Sequence, residues 1–187
     1  MKWLADLLAR PLGLMVALQL GWWAAVGGAA LEIYALGPLV IGVLLFIQTR
    51  ALADRGMLLA VALLAVVGTV VDSLQSALGF INWSGPAPIV LAPLWITALW
   101  AHFATGLHAV STLCRDRWWA LALFGGVSGP FAYLAGVRLG AATISSSQVW
   151  PSVLSFAVEW ALILPLAAGI RRTAVVRYRT AQAEMGT

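Results

Sequence analysis

Asp72, His102 and Glu159 fall inside long apolar stretches of this chain, where an ionisable group needs a reason to be. At the centre of a bilayer such a group costs at least about 2.5–3.5 kcal/mol on the insertion scale unless it is paired, wet or near a helix end. Asp72 belongs to a polar row with Thr69, Gln75, Ser76 and Gly79, which share one helix face. Ser152, Ser155 and Glu159 form a second row at the same period. Arg138 lies at a comparable depth, with Tyr133 about one turn deeper, so pairing with Asp72 or Glu159 is sterically open. One reading is a structural ion pair. The other follows from counting two carboxylates against one cation, which leaves an acid unpaired. A carboxyl group withdrawn from water without a cation favours its neutral form, and proton relays and ligand sites use that property. Glu32, between the first two apolar stretches, is a further acid at the same end.

Trp95, His102 and Thr105 share one side of the fourth apolar stretch. A buried lone histidine is commonly a satisfied core residue, and His102 and His108 are six apart, a poor spacing for chelation from one helix. There is no phosphate loop, nucleophile elbow or zinc-protease helix. Ser145, Ser146 and Ser147 have no evident base beside them, and the single Cys114 excludes an internal disulfide or a Cys-pair metal site. No cofactor is expected, and no catalytic residue can be named.

The elements that must position these groups follow from composition. Of 187 residues, 62% are hydrophobic and 10% charged, against about 25% charged in an ordinary soluble domain. Too little polar surface remains to cover a globule in water, so lipid is the natural solvent. Apolar runs at roughly 11–31, 33–49, 57–80, 89–112, 118–140 and 150–170 approach the 20 or so residues that span about 30 Å. The expectation is one all-α domain, a bundle of six transmembrane helices. The first run is longer than an ordinary signal-peptide core and reads as a retained span.

Ten of the 11 Lys and Arg residues fall at the N-terminus, in the second and fourth loops and in the tail; Arg138 alone falls on the other side. Such a bias marks cytoplasmic loops, which places both termini inside. It also accounts for the net charge of +4 without nucleic acid. Residues 1–10 read as a short interfacial helix and the tail after Ile170 as a basic, fraying end near anionic headgroups. Pro38, Pro86, Pro88 and Pro151 lie near expected helix starts, whereas Pro93, Pro130 and Pro165 fall within spans and are expected to kink them.

Of the 10 Trp residues, Trp3, Trp83, Trp118, Trp119 and Trp150 sit near span boundaries and read as interfacial anchors. Trp22, Trp23, Trp95, Trp100 and Trp160 lie within spans, to close the core or line a cavity. Gly125 with Gly129, and Gly136 with Gly140, set small residues four apart for close helix approach.

The segments Pro93 to His108 and Gly129 to Ala141, with Gly68 to Ser73 and the pair Gln19 and Trp22, resemble an uncharacterised bacterial inner-membrane family, domain of unknown function 2878. The likeness extends over nearly the whole chain. It implies a location in a bacterial cytoplasmic membrane and no activity. The neighbourhood of such genes, which includes enzymes that modify membrane fatty acids, implies a lipid-linked role. Tryptophan-rich sensory proteins of the translocator family are similar in size, but their five-span pattern and paired-Pro loop are missing. The expected site is therefore an outer-half cavity bordered by Asp72, Trp95, Tyr133, Arg138 and Glu159, binding or transporting a lipid-like or amphiphilic molecule, with Gln75 and His102 as further ligand-binding or proton-coupling candidates. Membrane lipids are the expected partners. The alternatives are a membrane subunit serving a lipid-modifying enzyme and a structural assembly factor.

Overall fold

The computed structural model describes residues 10–52, 55–88 and 91–185. They form six α-helices: α1 (Pro11–Ala30), α2 (Leu36–Leu52), α3 (Arg55–Ala77), α4 (Leu94–Leu113), α5 (Trp118–Leu139) and α6 (Val149–Met185). The interfacial helix expected over residues 1–10 lies almost wholly outside the described residues. α1, α3, α5 and the first part of α6 are long and apolar enough to cross a membrane, while α2 and α4 are shorter apolar helices.

The surface supports a lipid solvent. Phe131 and Leu12 are 70% and 74% exposed, while Asp72 is 2% exposed. A water-soluble domain distributes such residues the other way. α4 is the central helix: it packs on α1, α2 and α3 and touches α6, while α5 runs along α6. Its buried His102, Thr105 and Ser111 suit that position, since none of them has to face hydrocarbon.

Three proline expectations change. Pro93 caps the start of α4 at φ −57°, ψ 154°, an extended conformation, so it begins the helix instead of kinking it. Pro86 and Pro88 lie in the connection before α4, which accordingly starts at Leu94 and not near residue 89. Pro130 and Pro165 do fall inside α5 and α6. The same connection contains Asn82–Trp83 (β1), which pairs antiparallel with Ala142–Thr143 (β2). Two residues per strand leave no periodic signal, so this ribbon was invisible in the sequence. The tail expected to fray after Ile170 continues as α6 to Met185.

The first glycine pair works as expected. Gly125 faces the Trp160 carbonyl and Gly129 faces the Trp160 indole, and a Cβ at either position would collide. The second pair does not. Gly140 has open space around it and instead ends α5 at φ 92°, where a side chain would be strained.

Candidate functional site

Asp72 sits on α3, five residues before its end, and is held by donors from two other helices. The Trp100 N–H on α4 donates to its Oδ2 at 2.6 Å, and the Tyr133 hydroxyl on α5 donates to its Oδ1 at 2.7 Å. The Trp83 N–H adds a bond to the Asp72 backbone carbonyl at 3.3 Å. Trp83, expected as an interfacial anchor, is thus turned inward by the β-ribbon, edge-on to Trp95 and tilted against Tyr133.

Glu159 reaches the same hydroxyl from α6, with its Oε1 3.2 Å from Tyr133 Oη. Its Oε2 accepts from Gln75 Nε2 at 2.6 Å, and Gln75 Oε1 accepts from Ser155 at 2.9 Å. The two polar rows expected on the third and sixth spans therefore meet face to face. Ser152 completes the second row by donating to the Phe80 carbonyl at 2.7 Å. The result is an unbroken hydrogen-bonded chain from Ser155 through Gln75, Glu159, Tyr133 and Asp72 to Trp100, joining four helices.

The chain imposes a proton count. A phenol has one proton and can donate to only one of the two carboxyl oxygens it touches. For both contacts to be hydrogen bonds, the other carboxyl group must itself donate and so carry a proton. Tyr133 thus stands between the two acids, and both contacts are satisfied together only when one of the acids carries a proton.

Arg138 does not join this pair. It is exposed on the last turn of α5 and makes no ion pair with Asp72 or Glu159 among the described residues. Arg172 pairs with Asp116 at 2.9 Å on the surface. Position along the span permitted that pairing for Arg138, but pairing also depends on helix rotation, which composition does not encode.

Beside Asp72 lies a cavity of about 230 Å³ between α1, α4 and α5, with Trp160 of α6 at one wall. Its lining is aromatic and aliphatic, and Asp72, His102, Ser128 and Tyr133 supply the polar side chains other than indoles. α1 and α5 meet sparsely, near Val26 and Gly136, and this loose contact leaves the space. Trp95 lines the wall as expected and ties its N–H to the Ser84 carbonyl at 2.9 Å. Gln75 and Glu159 face elsewhere, onto a shallow groove between α3 and α6 that includes Leu154 and Leu162. Seen from the cavity, Asp72 and Tyr133 are at the wall and Glu159 is behind it.

His102 is 1% exposed, and its Nε2 lies 2.9 Å from the Ala17 carbonyl of α1. His102 Nδ1 and Trp160 Nε1 are buried without a hydrogen-bond partner. The Trp160 N–H lies near the Tyr133 hydroxyl without closing a bond to it. The sequence pointed to Trp95 but not to Trp100 and Trp160 as site residues, although all three stood out as tryptophans inside spans. Trp100 stacks on Trp160 with ring centroids 4.8 Å apart. Trp23 is different: it is 58% exposed and neither closes the core nor lines the cavity. Of the expected anchors, Trp118 and Trp150 are 74% and 76% exposed near helix starts, as an interfacial role requires.

Among the described residues no group of three or more His, Cys, Asp or Glu could hold a metal ion. No curated protein and no solved structure matches the chain. A model for proteins of unknown function, DUF2878, matches residues 11–166, a stretch that includes every group of the site. The chain belongs to that family of membrane-like helical proteins.

Proposed function

We propose that this protein crosses a bacterial inner membrane six times, with both termini cytoplasmic, and holds a small apolar or amphiphilic molecule in the cavity between α1, α4 and α5. The observation that carries the reading is the cavity itself: about 230 Å³ of aromatic-walled space with a buried acid, Asp72, at its wall. Ligand sites are typically concave and mostly apolar, with a few convergent polar groups. The one-sided distribution of Lys and Arg supports the orientation, and four long apolar helices support the membrane setting. The short helix α4 fits as a span packed largely within protein, while α2 packs on α1 and α4 and keeps an exposed apolar face with Leu39, Val43 and Phe46.

A second reading has its own support. Each oxygen of the Asp72 and Glu159 carboxyl groups already has a partner, so the network is also suited to fixing four helices in one arrangement. Native mass spectrometry with lipidomics on the detergent-purified chain, wild type against Asp72→Asn, separates the two. A specific small molecule retained by the wild type and lost in the variant supports the binding site. Identical unselective lipids on both forms, with a less stable variant, support the structural role. A co-purifying lipid-modifying enzyme would point to a membrane subunit instead.

A further inference from the structure

The binding reading leaves open what kind of molecule the cavity accepts, and His102 answers part of that. A carbonyl oxygen only accepts, so the contact with Ala17 places a proton on Nε2 of His102. In the neutral ring Nδ1 is then a bare acceptor, and it has no partner although the residue is 1% exposed. A buried acceptor left unpaired is costly, and few native groups are left that way without a cause. Gly21 shows that the ring's placement is built in, since a Cβ at Gly21 would fall on the imidazole. Trp160 Nε1 on the same lining is the complementary case, a donor without an acceptor.

Charge narrows the class further. No Lys or Arg lines the cavity among the described residues, and the one carboxyl group on its wall, Asp72, has Glu159 behind it across Tyr133. An anionic headgroup would enter apolar surroundings with no cation to meet it and an acid beside it. Size sets the remaining limit. A cavity of about 150 Å³ accepts a benzene ring, so 230 Å³ leaves room for about two fused rings or an equivalent length of chain.

We infer that the cavity selects an uncharged, largely apolar molecule of about that size that carries a hydroxyl or similar group, donating a hydrogen bond to His102 Nδ1 and accepting one from Trp160 Nε1, and that it rejects the corresponding carboxylate. This inference rests on the binding reading above, and the test keeps the two apart.

The test uses three probes of one shape, naphthalene, 1-naphthol and 1-naphthoate, titrated calorimetrically into the purified full-length chain in detergent against a protein-free detergent blank. Naphthalene tests the cavity alone. The expected order is 1-naphthol tightest, by about fivefold over naphthalene as one net hydrogen bond allows, and 1-naphthoate weakest. His102→Leu is expected to lose the preference for naphthol over naphthalene, read as the ratio of the two affinities in the same variant. His102→Gln, which keeps an acceptor, should retain part of it and serves if the leucine variant does not fold. Equal or tighter binding of 1-naphthoate, or a naphthol preference that survives His102→Leu, overturns the inference while leaving the cavity reading intact. Failure of all three probes to bind the folded wild type overturns both.

Discussion

The Trp100 indole lies against Gly68 so closely that a Cβ on Gly68 would coincide with the ring, and from that position its N–H reaches Asp72. The absent side chain one turn below the acid is thus what lets the donor approach. Gly68→Ala is expected to push the ring away, weaken the bond to Asp72 and destabilise the fold by about 1–3 kcal/mol, the usual range for overpacking. Gly42→Ala, where nothing lies within 4 Å, should stay within about 0.5 kcal/mol of wild type. Unfolding both in the same detergent makes the comparison, and equal effects would remove Gly68 from the site.

The shared hydroxyl makes a prediction about protons. Because Tyr133 cannot donate to Asp72 and Glu159 together, infrared spectra should show the C=O stretch of a protonated carboxylic acid in the wild type. The band should shift on deuteration and be altered by Tyr133→Phe. It should also change in either Asp72→Asn or Glu159→Gln. A spectrum at neutral pH containing carboxylate bands alone would mean that neither acid carries a proton.

Trp100 and Asp72 are in direct contact, so their substitutions should not add. A double-mutant cycle with Trp100→Phe and Asp72→Asn is expected to show a coupling of about 0.5–3 kcal/mol. The same cycle with Trp118→Phe, on an exposed tryptophan near the other end of the bundle, should show none. Additivity in the first cycle would make the 2.6 Å contact energetically idle.

Arg138 supplies the opposite expectation. Being exposed and without either acid as partner, it should tolerate Arg138→Gln with a stability change within about 0.5 kcal/mol and no change in ligand retention. A large loss would restore the ion pair that depth alone had suggested.

Orientation is checked with cysteine labels. Cys114→Ser gives a cysteine-free chain, and a single Ser146→Cys or Arg115→Cys can then be placed in the loop at either end of α5. In intact cells a membrane-impermeant maleimide should label position 146 and leave position 115 untouched until the cells are broken. The reverse pattern would overturn the proposed topology.

Much of this protein follows from the order of its residues, because lipid is a demanding solvent. A shortage of charge and apolar runs of span length indicate a helical membrane-type chain, and six such runs correspond to the six helices of the structure. Helical spacing likewise put Thr69, Asp72 and Gln75 on one row and Ser152, Ser155 and Glu159 on another, since period is a local property. What spacing leaves free is the rotation of each helix and the choice of neighbour. Only the tertiary structure set Gln75 against Glu159, turned Tyr133 between the two acids, left Arg138 outside, and made Trp100 rather than Trp95 the donor to Asp72. The cavity was equally out of reach, because it exists where α1 and α5 fail to pack closely, and empty space between two helices is written in neither sequence alone.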